Sequence, residues 1–321
     1  MGSYLPTNKC SNELLSNFVD TSDEWISKRS GIKNRHFVAD NEKTSDMSFL
    51  AANKAIENAE ISKNDIDLIV LATTTPDNTF PSTATLVQKK LKINAVSFDV
   101  QAVCAGFIFA LSIAKSMMTE GNYKNCLVIG ADSMSKLLDW KDRSTSVLFG
   151  DGAGAVILQK FDNTECKYDD WGILSNIIHS DGQFYDLLKT NGGVATNQKV
   201  GFIEMEGKEV FKHAIDKLSS SLEEALNASN KKIDELDYLV PHQANQRIIL
   251  AVAERLKIDV NKVISTVKDH GNTSAASIPL ALENAINSNK ILNGNLIGLH
   301  AIGGGLSWGA SIIRIGKPKK I

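Results

Sequence analysis

The chain has 321 residues, 43% of them hydrophobic and 22% charged, with a formal net charge of −2. That balance is ordinary for a soluble globular protein with ample core, and it argues against a broad nucleic-acid-binding surface. The length fits two domains or one duplicated domain.

No apolar run approaches membrane-spanning length by eye. The start, MGSYLPTNKC, lacks the basic segment and apolar stretch of a signal peptide. Pro6 stands where a myristoylation motif needs Ser or Thr. The four cysteines, at positions 10, 104, 126 and 166, show no C-x-x-C metal or redox spacing. A reducing cytoplasm is the compartment this predicts.

In chain order, Asp20 to Trp25 reads as a capped helix start with acids in its first turn. Trp25 and Arg29 are four apart and share a helix face. Lys43–Glu60 predicts an amphipathic helix, Asp65–Thr73 a buried strand, Thr73–Asn78 a loop and Pro81–Leu91 another helix. Cys126–Ala131 predicts a buried strand around a core cysteine. Asp151-Gly152-Ala153-Gly154 lies between strand-like runs and lacks the G-x-G-x-x-G spacing, so it is no dinucleotide fingerprint. Its small residues predict close approach between strands. Residues 159–172 read as a polar loop, and 180–199 as a long irregular segment. Gly207–Leu226 predicts a helix, 236–240 a strand, Asn245–Leu256 a helix and Val263–Val267 a strand. A further helix opens at 271–277, with Pro279 in its first turns. Asn295–His300 and Ala310–Ile315 predict strands around the glycine turn 303–309.

The stretch Val96 to Met118 organises the rest. Its first part is β-rich, and the part from Ala105 is apolar all round, which predicts a buried central helix. Cys104 stands at the start of that helix, where free N–H groups and the dipole favour a thiolate. A helix end contributes about 0.3–2 kcal/mol, at most about 1.5 pK units. A second group, most simply a histidine, has to supply the rest. On this stretch alone two readings stay open, an inert packed cysteine and a nucleophile.

The chain also repeats itself. Asp67-Leu68-Ile69-Val70 matches Asp237-Tyr238-Leu239-Val240. From Asp67 to Cys104 is 37 residues, and from Asp237 to Asn272 is 35. Each half offers strand, helix, strand, turn, central helix, strand and a closing hairpin, which predicts α/β units with sheets covered on both faces. The spacing sets Cys104 and Asn272 at equivalent helix starts, with His242 on the loop that corresponds to Thr73-Thr74. Read singly, His242 fits a core histidine and Asn272 a helix cap.

Six segments together resemble β-ketoacyl-acyl carrier protein synthase III. They are Thr21–Ile26, the Asp99–Phe107 run around Cys104, Phe149–Ala155, Pro241–Asn245, Gly271–Ser277 and Gly303–Gly309. The resemblance spans nearly the whole chain in order. It implies the α/β thiolase fold, a duplicated five-layered αβαβα arrangement, with one half at 1–165 carrying the cysteine and the other at 166–321 carrying His and Asn. It implies decarboxylative condensation of acetyl-CoA with malonyl-acyl carrier protein, initiating type II fatty acid synthesis. No cofactor, metal, nucleic acid or membrane is implied, and a homodimer is. A same-fold acyltransferase of secondary metabolism, a thiol hydrolase and a non-catalytic scaffold are the competing readings.

Residue by residue, the resemblance makes Cys104 the nucleophile. Cys104 and Gly304 supply oxyanion N–H groups, and His242 and Asn272 donate to the malonyl thioester oxygen. It sets Trp25 and Arg143 around the CoA adenine, with Arg29 as a further nucleotide contact. Lys212, Arg247 and Arg255 face the carrier protein, although Glu254 stands where relatives carry a base. Phe80 reaches across the dimer to wall the acyl pocket. Relatives begin with a strand just before Gly-Ser-Tyr-Leu-Pro. Here Met1 directly precedes Gly2, so that strand is expected to be absent or truncated.

Overall fold

The computed structural model describes residues 1–161 and 170–316. Cys166, the 165/166 boundary and the basic tail 317–320 lie outside the described residues.

The first elements are β1 (Gly2–Tyr4), β2 (Asn8–Ser11), α1 (Asn12–Leu15), α2 (Asp23–Ser30), β3 (Asn34–Phe37), α3 (Thr44–Ala59), β4 (Leu68–Ala72) and α4 (Thr83–Leu91). Then come β5 (Val96–Val100), α5 (Gly106–Glu120), β6 (Asn125–Ser133), α6 (Arg143–Ser146) and β7 (Asp151–Gln159). Next are β8 (Gly172–Ser180), β9 (Leu188–Thr190), β10 (Ile203–Met205), α7 (Gly207–Ala228), β11 (Tyr238–Pro241) and α8 (Gln246–Arg255). The last are α9 (Val267–His270), α10 (Ser277–Asn287), β12 (Leu296–Gly303) and β13 (Ser307–Arg314). Helix starts fall where cap residues stand: the Ser22 hydroxyl accepts from Trp25 N–H and the Asn245 side chain from Ile248 N–H.

One sheet has the order β1-β7-β6-β4-β5 and the other β11-β12-β13-β8. The central strands show how the layers form. In β4, Leu68, Val70 and Ala72 face a core shared with α5 and α10, while Ile69 and Leu71 face α3 and α4. On the far side of the second sheet, Leu236, Leu239 and Ile312 pack with Leu218, Leu222 and Val252 of α7 and α8. The layers are therefore helix, sheet, central helices, sheet, helix, the αβαβα arrangement the resemblance implied.

Several expectations change. Gly2–Tyr4 is itself a strand, paired antiparallel with Ala153–Ala155 of β7, so the first sheet has an edge strand within the Gly-Ser-Tyr-Leu-Pro segment. Helix α5 is not apolar all round: Ser112, Lys115, Ser116, Thr119 and Glu120 line an open groove. The stretch Val103–Glu120 does reach membrane-spanning size by length and composition, with a mean hydropathy of 1.3. Its apolar face, from Phe107 to Met118, is spent on the core between the sheets. Residues 180–199 are not irregular, since a 3₁₀ turn (Gly182–Leu187) leads into β9, which pairs with β10. Val263–Val267 makes one bridge to Leu239 and then enters α9, so no strand forms there. The small residues of 151–154 lie inside β7 and admit a helix rather than another strand. A Cβ on Gly154 would stand 2.6 Å from Pro279 Cβ of α10.

The repeat is real in the backbone but shifted from the sequence register. Val103 (φ 48°) and Ser274 (φ 51°) both open short 3₁₀ turns that run into α5 and α10. Ala275, not Asn272, is thus the counterpart of Cys104. Asn272 sits on the loop just before its turn.

Gly130 of β6 carries that second turn, because a Cβ there would stand 2.3 Å from Ala275 O. Gly130→Ala is expected to lower stability by about 1–3 kcal/mol, read as a lower urea midpoint at unchanged m-value.

Candidate active site

The two short turns meet at the centre of the molecule. Gly303, at the end of β12, lies against the first turn, where a Cβ would stand 2.6 Å from Cys104 N. At Gly304 a Cβ would stand 2.6 Å from Leu188 O. Only backbone fits at these two positions. The nucleophile candidate is therefore enclosed by main chain, and Cys104 is buried.

Asn272 is held by backbone on both sides. Its N–H donates to Leu148 O at 2.9 Å, and its carbonyl accepts from Gly150 N–H at 3.0 Å. The buried Arg35 donates to Val147 O at 2.7 Å and props that same segment. Asn272 Oδ1 accepts from Ser274 N–H at 2.9 Å, which leaves the Nδ2 hydrogens as its free donors.

His242 follows β11, and its N–H donates to His300 O at 2.8 Å. Its Nδ1 lies 2.6 Å from Ser277 Oγ. That hydroxyl also accepts from Gln243 N–H at 3.3 Å, and the contact anchors the ring by Nδ1, which leaves Nε2 as its other polar atom. Burial pushes His242 down to about 3 and keeps it neutral.

Burial works against the expected thiolate. Burial pushes the Cys104 thiol up to about 12. The Ser274 hydroxyl and the residue's own N–H oppose that shift, and the Asp132 carboxyl adds to it. Desolvation is the largest of these influences.

Three groups escaped the sequence reading. Ser277 sits in the recognised 271–277 motif but had no role there. His300 is fully buried, its ring nitrogens lack partners among the described residues, and burial pushes it down to about 3. Asp132 is also fully buried, and nothing in its local sequence marks it.

The peripheral residues divide. The Arg29 and Arg143 guanidinium carbons lie 4.3 Å and 5.1 Å from the Trp25 ring centroid, and Arg143 also donates to Asp20 O at 3.1 Å. Lys212 of α7 and Arg247 of α8 are exposed, with Arg247 over the Phe211 ring at 5.3 Å. Arg255 is engaged by Asp216 at 2.7 Å. Phe80 is 83% exposed. Among the described residues no group of three His, Cys, Asp or Glu is placed to hold a metal ion.

Comparison with known proteins fits this arrangement. The family described as 3-oxoacyl-[acyl-carrier-protein (ACP)] synthase III matches residues 98–182, and its C-terminal part matches 226–315. The β-ketoacyl-[acyl-carrier-protein] synthase III of Ehrlichia canis is 55% identical over 316 residues, 98% of each chain. The chain belongs to the β-ketoacyl-[acyl-carrier-protein] synthase III family. The Wolbachia pipientis wMel member is 53% identical over 97% of this chain and 96% of its own. The solved synthase III of Aquifex aeolicus superposes with a TM-score of 0.91 at 45% identity, covering 98% of both chains. A priming β-ketosynthase from the R1128 polyketide biosynthetic pathway aligns at 33% identity with a TM-score of 0.89, over 97% of this chain and 94% of its own.

With the Cys104 thiol held up near 12, the thiolate fraction at neutral pH is small and grows tenfold per pH unit. Capture of Cys104 by iodoacetamide, followed by intact mass, is expected to rise about tenfold per unit between about pH 7 and 9 without a plateau.

Proposed function

We propose that the chain condenses acetyl-CoA with malonyl-acyl carrier protein to give acetoacetyl-acyl carrier protein, the reaction that starts type II fatty acid synthesis. The observation that carries this reading is the donor geometry. Ser277 Oγ occupies His242 Nδ1 and Ser274 N–H occupies Asn272 Oδ1, which leaves His242 Nε2 and the Asn272 Nδ2 hydrogens free, and in this reading Nε2 carries the hydrogen. Two neutral, fixed donors suit an oxygen that gains charge as carbon dioxide leaves.

In this reading Cys104 first takes the acetyl group as a thioester, and CoA departs. The malonyl thioester then binds with its carbonyl oxygen on His242 and Asn272. Loss of carbon dioxide leaves an enolate, whose carbon attacks the acetyl-Cys104 carbonyl. The oxyanion so formed is held by the N–H groups of Cys104 and Gly304. Collapse expels the Cys104 sulfur and releases the product. No cofactor is needed, and the free thiols of Cys10, Cys104 and Cys126 fit a reducing cytoplasm.

Trp25 is the adenine platform in this proposal. Arg29 and Arg143 already lie over its ring, so one guanidinium gives way to the base or stacks beyond it. Lys212 and Arg247 are the free cations for the carrier protein, while Arg255 is partly neutralised by Asp216. We also assign 1–165 and 166–321 as the two halves. A homodimer is part of this reading, supported by the open edge of β5 and the exposed Val96 and Phe80.

Two alternatives are weaker. Relatives at 50–55% identity carry the synthase III name, whereas the polyketide enzyme stands at 33%. A thiol hydrolase needs its histidine as base, and burial, which pushes His242 down to about 3, makes it a weak one.

On incubation with acetyl-CoA, intact mass is expected to rise by one acetyl group, and Cys104→Ser to take none on sulfur. His242→Ala and Asn272→Ala are each expected to keep loading and to lose about 10²–10³ in condensation rate. Loss of loading equal to loss of condensation would contradict their donor roles. Sedimentation is expected to give twice the chain mass, and a monomer would remove the assignment of Phe80.

A further inference from the structure

Arg35 of β3 is fully buried, and its hydrogen bonds all go to neutral acceptors. Nη1 donates to Asn12 Oδ1 at 2.7 Å and to Cys10 O at 3.4 Å, and Nη2 donates to Val147 O at 2.7 Å. A buried guanidinium without a carboxylate partner is costly, and apolar residues of similar volume often replace buried ions without loss. The fork does something that packing cannot. It ties acceptors from three chain segments together in fixed directions.

One side of this tie leads to α2, the helix that carries Trp25. Asn12 Nδ2 donates to Asp23 Oδ1 at 2.8 Å, in the first turn of α2, and to Ile32 O at 2.7 Å, just beyond its end. Lys33 Nζ closes on the same Asp23 at 2.8 Å. The other side leads to Asn272. Val147 precedes Leu148 and Gly150, whose backbones hold the Asn272 N–H and carbonyl at 2.9 Å and 3.0 Å. The Arg35 stem packs there as well: a Cβ on Gly150 or Gly271 would stand 3.0 Å or 3.2 Å from Arg35 Cβ. The chain entering β3 also grips α9, ahead of Asn272, since Lys33 N–H donates to Lys268 O at 2.8 Å and Asn34 Nδ2 to Asp269 Oδ1 at 3.2 Å. The Cys104 turn has a different frame, made by Gly303 and by the bond from Ala105 N–H to Ala102 O at 3.0 Å.

We propose that Arg35 is a positioning residue for condensation: its fork fixes the segment from Val147 to Gly150, and through it Asn272, against the helix that carries Trp25. This rests on the donor role given to Asn272 above. Arg35 touches no reacting atom and acts through the Asn272 amide. Without the fork the segment loosens, and the amide strays from the oxygen on which charge develops. Misplacement by about 1 Å costs about 10²-fold in rate. Loading of Cys104 does not draw on this tie, because the Cys104 turn keeps its own frame.

The test measures two steps on the full chain: acetyl loading from acetyl-CoA, read by intact mass, and condensation with malonyl-acyl carrier protein, read as acetoacetyl product. Arg35→Met is expected to load at close to the wild-type rate. Its condensation kcat falls about 10- to 10²-fold with KM little changed, as for a group that counts only in the transition state. Combined with Asn272→Ala, it condenses no slower than Asn272→Ala alone, because both losses run through one amide. A general structural defect slows loading too and multiplies the two losses. Should Arg35→Met not fold, Arg35→Lys, which keeps the charge and loses the fork, goes through the same comparison. The proposal is overturned if the variant condenses at the wild-type rate, if loading falls as far as condensation, or if the paired losses multiply. Should the wild type form no acetoacetyl product, the condensing reading falls instead. Hydrogen exchange read by mass then judges Arg35. Faster exchange in the variant over 268–273, with 104–111 unchanged, supports it, and equal change or none in the two segments overturns it.

Discussion

The molecule depends on main chain touching main chain at its centre. Gly130 admits the carbonyl of Ala275, and Gly303 admits the N–H of Cys104. At both positions a methyl group would stand well inside van der Waals contact. The two 3₁₀ turns can therefore sink between the sheets and bring the starts of α5 and α10 together. Side chains from both halves are then buried beside the two turns.

Burial sets the electrostatics. It disfavours charge on the titratable groups there, raising the Cys104 thiol and the Asp132 carboxyl and lowering His242 and His300. The candidate site sets a thiol, a neutral histidine and an amide near one carboxyl group that accepts from converging hydroxyl and N–H groups. Such a site favours reactions in which charge develops on an oxygen held by fixed dipoles. It disfavours a resting thiolate–imidazolium pair.

Much of this was legible from residue patterns. The strands β4, β6 and β12 announce themselves as short apolar runs, and the caps at Ser22 and Asn245 mark their helices. The segments around Cys104, His242 and Asn272 carry the family resemblance. The α5 groove was hidden because Ser112, Lys115 and Thr119 are diluted by strong apolar neighbours. The β9–β10 pair was hidden because its strands are three residues each, too short for a period to show. The repeat was visible, but its register was not. Spacing alone matched Cys104 to Asn272, while the backbone matches Cys104 to Ala275.

The sequence by itself determined the layered α/β architecture and singled out Cys104, His242 and Asn272 as the candidate site residues. Hydrophobic period, cap residues and family segments are local properties that need no partner to be read. Tertiary structure decided the burial that shifts the titratable groups, the contact of His242 Nδ1 with Ser277 and the place of Asp132. Those depend on desolvation and on hydrogen bonds between residues far apart in the chain, such as Thr74, Asp132 and Ala275. No local pattern encodes the distance between them, because packing of the two halves creates it.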